Sequence, residues 1–206
     1  MAHGDDKGLK LPPKLAPHQI VIVPIIPNDK DKESVMTVVN QLNDSLSEFR
    51  VIIDDRSEVS PGFKFNEWEQ KGVPLRVEVG PKDIEKNTIL VSRRDDESKN
   101  SYPMDDVQNT IKKLLDEIQD NLYKNSENTL KENTTHVESF SELIEVLNSK
   151  KGFVSCFWKE NKEDELKIKE ETSATLRCYP LENTDSEKAV NSDSENGNFA
   201  IFSKAY

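Results

Sequence analysis

The most constraining feature of this sequence is a strand-like apolar run that is followed directly by a helix-like pattern. Residues 19–26 read QIVIVPII, which has the length of a strand and the continuity of one that is buried on both faces. Apolar side chains then recur at helical spacing between residues 31 and 48, at Val35, Val38, Val39, Leu42 and Leu46. Residues 51–53 form a second short apolar segment. Strand, helix and strand with short connections predict a right-handed parallel crossover.

The alternation of strands and helices continues to about residue 125. Residues 75–79 alternate between apolar and charged side chains, so we expect a half-buried strand that carries Arg76 and Glu78 on one exposed face. Residues 88–92 supply another strand, and the residues after it predict a polar loop. Pro103 is placed to open a helix with a continuous apolar face. The sequence therefore predicts an α/β domain, a mixed sheet flanked by helices.

A second, smaller unit is predicted to follow. Ser139 and Glu142 have the spacing of a capping box ahead of an apolar helix. Strands are predicted at residues 152–158, 175–179 and 199–202, and a charged helix is predicted at residues 160–172. Residues 182–198 are rich in Asn, Ser, Asp and Glu, a composition that predicts a mobile loop. We expect this unit to be a small α+β domain.

Charge limits the partners of the chain. The net charge of -11 argues against general binding to polyanions or to anionic membranes. Residues 50–94 are nearly neutral, with nine basic and eight acidic side chains, whereas residues 95–206 hold fourteen basic and twenty-four acidic ones. Any contact with nucleic acid is therefore expected in the middle of the chain.

The two cysteines and the apolar runs indicate the compartment. Cys156 and Cys178 are far apart and form no Cys-x-x-Cys pair, so we expect buried free thiols in a reducing environment. No apolar run is long enough to cross a bilayer, and the first residues lack the apolar core of a signal peptide. These features predict a cytoplasmic protein without a membrane partner.

Residues 60–83, SPGFKFNEWEQKGVPLRVEVGPKD, concentrate the features of a recognition surface. Phe63, Phe65 and Trp68 lie in a segment that Gly72 can end as a helix, directly before the charged strand. Phe65 and Trp68 are three residues apart, a spacing that favours packing in the core, so Phe63 is the better candidate for contact with a ligand. Taken alone, Arg76 and Glu78 also fit a solvated strand face with weak surface ion pairs.

Three segments of this sequence resemble the C-terminal part of prolyl-tRNA synthetases of the eukaryotic and archaeal-like type. They are HGDDKGLKLPPKLAPHQIVIVPI near the start, residues 60–83, and IFSKAY at the end. The resemblance implies that residues 1–17 are a linker with the tail of the third catalytic motif. It further implies a class IIa anticodon-binding domain at residues 18–134 and a C-terminal α+β domain at residues 135–206.

The resemblance also implies a function. The full-length enzyme would join proline to tRNA(Pro), with ATP and Mg²⁺, in a catalytic domain of the same polypeptide. The motifs that hold ATP would lie before Met1, so this chain is expected to be inactive alone, with no catalytic residue or cofactor of its own, and to recognise the anticodon. The alternative is a non-catalytic RNA-binding or protein-interaction module that reuses the fold.

The candidate site residues follow from the chemistry of guanine, because the last two bases of the proline anticodon are guanines. A carboxylate can accept from guanine N1–H and from its amino group while a cation donates to O6, and single-stranded bases are commonly read at these edges. Glu78 with Arg76 or Lys82 supplies that combination, and Phe63 and Phe65 are candidates for stacking. The candidates for phosphate contacts, which position RNA without specifying its sequence, are Arg56, Lys64 and Lys71.

The C-terminal domain departs from many members of this family, which bind a structural zinc through four cysteines. Cys156, Cys178 and one distant histidine do not make a tetrahedral set, so no metal is predicted. We expect an apolar core to replace the metal, formed by Phe157, Trp158, Ile168, Tyr179 and Phe202. In the family the terminal tyrosine directs its carboxylate toward the catalytic domain, and Tyr206 stands at that place, although a frayed terminus is an equal alternative.

Overall fold

A computed structural model describes residues 3–183 and 185–204. The chain divides into two compact units, Met1–Ser126 and Glu127–Tyr206. The domain boundaries inferred from the sequence, near residues 17 and 134, stay a prediction. Tyr206 and its expected role lie outside the described residues.

The first unit is built on a five-stranded mixed sheet with the strand order β4-β3-β5-β6-β7. The strands are β3 (Ile20–Pro24), β4 (Val51–Ile53), β5 (Leu75–Val79), β6 (Thr88–Arg93) and β7 (Lys99–Pro103). Strand β3 runs parallel to β4 and β5, whereas β6 runs antiparallel to both β5 and β7. The predicted α/β class, mixed sheet and parallel crossover are confirmed.

Helices cover the two faces of this sheet unequally. Helices α1 (Lys32–Ser45) and α4 (Val107–Glu132) pack on one face, where Ile22, Leu75 and Val77 are fully buried. Helix α2 (Pro61–Gln70) packs on the other face through Trp68, against Val21 and Val23 of strand β3. Each fully buried Val, Leu or Ile contributes roughly 1.5–3 kcal/mol to stability. The two helical layers therefore fix the sheet from both sides.

Helix α2 shows how its local sequence sets its limits. The Ser60 hydroxyl accepts a hydrogen bond from the Phe63 amide at 3.3 Å, and Pro61 follows as the first helical residue. At the other end Gly72 has φ +74, a left-handed conformation that ends the helix as predicted. An added Cβ at Gly72 would lie 2.7 Å from Leu9, so both the backbone conformation and the lack of space require glycine there.

One prediction for this unit is wrong, since Pro103 ends strand β7 rather than opening a helix, which begins at Val107. The expected polar loop after β6 is present at residues 94–98, but it leads into β7, a strand that was not predicted and that pairs with β6. Residues 1–17, expected to be a linker, contain a short hairpin in which β1 (Gly4–Asp5) pairs with β2 (Gly8–Leu9). This segment gains its order from tertiary contacts, because the Arg94 guanidinium donates two hydrogen bonds to Asp5 at 2.6 and 2.9 Å.

The second unit is α+β, as predicted. Its sheet has the order β10-β12-β9-β8, with β11 pairing with β12. The elements are β8 (Thr134–His136), α5 (Phe140–Ser149), β9 (Phe153–Trp158), α6 (Lys162–Thr172), β10 (Ala174–Cys178), β11 (Ser186–Lys188) and β12 (Asn196–Lys204). Residues 182–198 were expected to be a mobile loop, but β11 and the start of β12 pair within them. Their backbone hydrogen bonds supply the order that the composition lacks.

The core of the second unit contains three of the five predicted residues. Trp158, Ile168 and Phe202 are fully buried, with the Trp158 and Phe202 rings 5.0 Å apart edge to face. Phe157 points to the opposite face of β9, and Tyr179 is exposed, so neither belongs to this core. Cys156 is buried, and burial raises the pKa of its thiol to about 12, but Cys178 is exposed, contrary to prediction.

Two further observations concern metals and membranes. Within residues 3–183 and 185–204, no group of three or more His, Cys, Asp or Glu side chains could hold a metal ion. The absence of zinc stays a prediction. In the same described ranges, no helix is long and apolar enough to cross a membrane.

Candidate functional site

The candidate site lies on the part of the first sheet that α2 leaves open. Strand pairing places Val21, Arg76, Ser92 and Lys99 in one row across β3, β5, β6 and β7. Helix α2 packs on the apolar end of this row, over β3. The polar end of the row, together with Glu78 two residues along β5, therefore forms a polar surface at the edge of α2.

Glu78 is the centre of this surface. The Lys99 ammonium lies 2.9 Å from Glu78 Oε1 and 3.0 Å from Oε2, and the Arg76 Nε donates to Oε1 at 3.2 Å. We expected Glu78 on an exposed face, but it is only 6% exposed. The correction has a physical cause, since the side chains of Arg76 and Lys99 cover the carboxylate while neutralising it.

Arg76 is held in place by its neighbours. Its guanidinium carbon lies 4.1 Å from the centre of the Phe65 ring, and one of its terminal nitrogens donates to Ser92 Oγ at 3.2 Å. Lys99 Nζ lies 5.7 Å from the same ring, with a side chain that is 43% exposed. Arg76 is thus a largely buried cation with several partners and Lys99 a half-exposed one, and both contact the carboxylate.

The two phenylalanines of α2 differ in exposure. Phe65 is half-buried and packs against the apolar contacts of α2 as well as against Arg76. Phe63 is 55% exposed, as expected for the better contact candidate. Phe63 is therefore free to offer a ring face to a base, whereas Phe65 already offers one face to a guanidinium.

A second charged cluster, centred on Asp54, lies beneath α2. Arg56 donates two hydrogen bonds to the Asp54 carboxylate at 2.8 and 2.7 Å, and Trp68 Nε1 donates a third at 2.8 Å. These bonds, those from Arg56 above all, hold the pKa of Asp54 at about 2, against the opposing effect of burial. Arg56 also bonds Glu67 at 2.7 Å, and the two carboxylates raise the pKa of its guanidinium.

This cluster changes the assignment of three candidate phosphate ligands. Lys64 is 5% exposed and donates to the Asp54 carbonyl at 3.0 Å, so a phosphate contact would require its ammonium to leave a buried position, and we omit it from the site. The Arg56 guanidinium is already matched by two carboxylates. Lys71 is half-exposed and pairs with Glu67 at 2.6 Å, which leaves it the most accessible of the three.

Lys82 occupies a different element from the other candidates. It is exposed on the short helix α3 (Pro81–Glu85), which begins directly after β5. Among the residues that the structure describes, no carboxylate pairs with it in the manner of Arg76 or Lys99. The structure thus groups Arg76, Glu78 and Phe65 and leaves Lys82 apart from them.

Two residues of the site were missed by the sequence reasoning. Ser92 and Lys99 complete the row with Arg76, and they line a small cleft of about 180 Å³ beside it. The signal was present in β7, where Tyr102 packs toward the core and the alternate residues Lys99 and Ser101 face the other way. The segment was overlooked because only one of its side chains is apolar.

Comparisons with known proteins match both units. A family model described as "Anticodon binding domain" matches residues 19–114, and one described as "Prolyl-tRNA synthetase, C-terminal" matches residues 140–206. A proline–tRNA ligase of Natranaerobius thermophilus is 44% identical over 183 residues, which cover 88% of this chain and 38% of that protein.

Two other relatives align with the whole chain. The proline–tRNA ligase of Roseiflexus sp. is 43% identical over 211 aligned residues, and that of Amoebophilus asiaticus is 39% identical over 209. Each alignment covers 100% of this chain but only 44% and 43% of the relative, respectively. The chain therefore spans about two fifths of the length of the curated relatives it matches.

Proposed function

The chain belongs to the prolyl-tRNA synthetase family, and we propose that it recognises the anticodon of tRNA(Pro) through the surface around Glu78. The observation that carries this proposal is the position of Glu78, a nearly buried carboxylate that two cations cover on the open half of the sheet. An anion so placed is costly unless its partners or a ligand satisfy it.

The geometry suggests how a guanine would be read. Glu78 would accept from guanine N1–H and from the amino group, and Arg76, fixed by Phe65 and Ser92, would remain beside it. Both carboxylate oxygens now face Lys99, so this ammonium must move aside when the base enters. Its half-exposed side chain can swing out and donate to O6 or to a phosphate. Discrimination would then come from Glu78 and the orientation from the cations.

Phe63 would add affinity without sequence preference. Stacking of an unpaired base on an exposed aromatic ring contributes about 1–3 kcal/mol per base and tolerates any base. Phe63 has the required exposed ring, and Lys71, on the same helix, has an ammonium that could exchange Glu67 for a phosphate. Lys82 stays a candidate for a contact outside the central cluster.

The activity of the whole protein is part of the same proposal. We infer that this chain serves a proline–tRNA ligase that uses ATP and Mg²⁺, works in the cytoplasm, and holds its catalytic domain in the same polypeptide. The relatives carry the name proline–tRNA ligase over a length more than twice that of this chain. In this view the chain selects the tRNA, and the chemistry takes place in the catalytic domain.

The test is a titration of anticodon stem-loops. One stem-loop carries the proline anticodon, and others carry adenine in place of each of its two guanines. We expect the chain to bind the guanine form about ten- to a hundredfold more tightly, since a well-made bidentate contact to a base contributes about 1–3 kcal/mol of discrimination.

Two variants locate the contact. Glu78→Gln should lose most of the preference for guanine, because the amide offers one acceptor and presents a donor to the base. Glu33→Gln removes the same charge from an exposed position on α1, on the far side of the sheet, and should keep the preference. Equal binding of the guanine and adenine stem-loops by the unaltered chain would refute the proposal.

A further inference from the structure

The second unit contains a basic cleft that guanine readout does not involve. The cleft has a volume of about 890 Å³, and it lies between the end of α5, the start of β9 and the ends of β10 and β12. Its lining includes four cations, Lys150, Lys151, Arg177 and Lys204. Within residues 3–183 and 185–204, no carboxylate lines it.

The backbone fixes the walls of this cleft. Gly152 joins α5 to β9 with φ +114, and an added Cβ would lie 2.3 Å from the Asn133 carbonyl oxygen, so only glycine fits the turn. Ser203 Oγ donates to the Gly152 carbonyl at 2.9 Å, and Arg177 Nε donates to the Ser203 carbonyl at 3.2 Å. These bonds tie three separate segments together around the opening.

The cations of the cleft are not neutralised locally. Residues 127–206 hold ten basic and sixteen acidic side chains, a net charge of -6, so carboxylates are plentiful in this unit. Elsewhere in it, Lys131 pairs with Glu127 and Lys159 pairs with Glu195. None of the four cleft cations forms an ion pair with any described carboxylate. The charges are thus concentrated at one place in an otherwise acidic unit.

An aromatic ring lies among these charges. Phe153, the first residue of β9, lines the cleft and is 37% exposed, and Leu147 contributes a buried apolar floor. Unpaired cations around an accessible ring are the chemistry of single-stranded nucleic acid sites, where phosphates meet the cations and a base stacks on the ring. An acidic peptide would use the cations but would leave the ring without a specific partner.

We propose that this cleft binds a single-stranded RNA segment, with Lys150, Lys151, Arg177 and Lys204 on its phosphates and one unpaired base on Phe153. The contact is independent of base identity. It therefore adds affinity for RNA to the whole chain while leaving the choice of the anticodon to the first unit.

The test uses the full chain and hexauridylate, a short unstructured RNA that holds no guanine. Its binding therefore does not depend on guanine readout, and the two proposals can fail separately. Fluorescence anisotropy at several salt concentrations compares the unaltered chain with the double variant Lys150→Ala, Lys204→Ala. Loss of two phosphate contacts should weaken binding about tenfold and reduce the salt slope by about 1.4.

The matched control is the double variant Lys162→Ala, Lys169→Ala, which removes the same charge from exposed positions on α6. It should bind hexauridylate nearly as well as the unaltered chain. An equal loss in both double variants would show an effect of net charge alone and would overturn the proposal.

Two further measurements examine the base and the location. Phe153→Leu keeps an apolar side chain but removes the ring, and it should weaken hexauridylate binding about fivefold. The backbone amide signals of Gly152, Phe153 and Arg177 should shift during a nuclear magnetic resonance titration. Shifts confined to residues 3–126, or equally tight binding of a hexa-aspartate peptide, would overturn the proposal.

Discussion

Asp54 and Glu78 are two buried carboxylates of the first unit that both contact cations, but the cations around them differ in exposure. Asp54 receives three side-chain hydrogen bonds of 2.7–2.8 Å, and the surrounding cations are themselves matched by Glu67 or by backbone carbonyls. Glu78 is buried to a similar degree, yet one of its two cations, Lys99, is half-exposed. A ligand could reach the Glu78 carboxylate if Lys99 alone moved into solvent, whereas the Asp54 carboxylate is enclosed by partners that are bonded elsewhere as well.

The difference teaches how to separate structural from functional charge. Burial alone does not distinguish the carboxylates, which are 4% and 6% exposed. What distinguishes them is whether the partners could leave at low cost. Removing the Asp54 carboxylate would leave the buried Lys64 ammonium without a counter-ion. Removing the Glu78 carboxylate would leave Lys99, whose half-exposed side chain can return to water without moving the backbone. We therefore propose that Asp54 serves stability and that Glu78 serves recognition.

The largest expected effect is on folding. Asp54→Ala should lower the free energy of unfolding by about 3–5 kcal/mol, because it leaves the buried Lys64 ammonium without its counter-ion and the Trp68 indole without its acceptor. Glu78→Ala should cost less, about 2 kcal/mol, since Lys99 becomes solvated and Arg76 keeps its contacts with Ser92 and the Phe65 ring. Urea denaturation measures both values. Equal losses would erase the distinction between the clusters.

The second-largest expected effect is a loss of stability in acid, caused by protonation of Asp54. The pKa of Asp54 is lowered to about 2 in the folded chain, chiefly by Arg56, and is near 3.9 when the chain is unfolded. The ion pair therefore stabilises fully above pH 4, and about 2 kcal/mol is lost as the pH falls toward 2. Comparing urea midpoints of the unaltered chain and Asp54→Asn isolates this component. An identical acid dependence in both would contradict the assignment.

The exposed ring of Phe63 should matter for binding but not for folding. Phe63→Ala should weaken binding of the anticodon stem-loop about fivefold, as expected for the loss of one stacked base, and should change stability by less than about 0.5 kcal/mol. Anisotropy and thermal melting give the two values. A large loss of stability without a loss of affinity would place Phe63 with the structural residues.

The smallest expected effect tests the border between the two clusters. Lys71 is linked to the Asp54 cluster by its ion pair with Glu67, yet its side chain is half-exposed. Lys71→Met should leave stability within about 0.5 kcal/mol, as for other exposed pairs, while the salt slope of RNA binding falls by about 0.7. An unchanged slope would confine Lys71 to the structural cluster.

Local patterns were sufficient for most of the fold. Strands β3 and β5 and helix α1 follow directly from their apolar periodicity, because each buries its own apolar side chains. Strand β7 and the pairing of residues 186–188 with residues 196–198 did not, since their order comes from hydrogen bonds to a neighbouring strand. A pattern of side chains carries little information about such a partner.

The site was predicted less completely for the same reason. Arg76, Glu78 and Phe65 were found because they are close in sequence and alternate or cluster visibly. The burial of Glu78 depends on Lys99, which is 21 residues away, and the burial of Lys64 depends on the carbonyl of Asp54. Such long-range pairs decide whether a charged side chain meets solvent, and the sequence alone does not display them.

The most direct measurement of the central claim is a double-mutant cycle between Glu78 and the amino group of guanine. Inosine lacks this group but keeps N1–H and O6, so stem-loops with inosine at either guanine position are titrated against the unaltered chain and Glu78→Gln. We expect inosine at one of the two positions to weaken binding to the unaltered chain about tenfold and to leave the affinity of Glu78→Gln nearly unchanged. The same inosine penalty in both proteins would contradict guanine readout by Glu78.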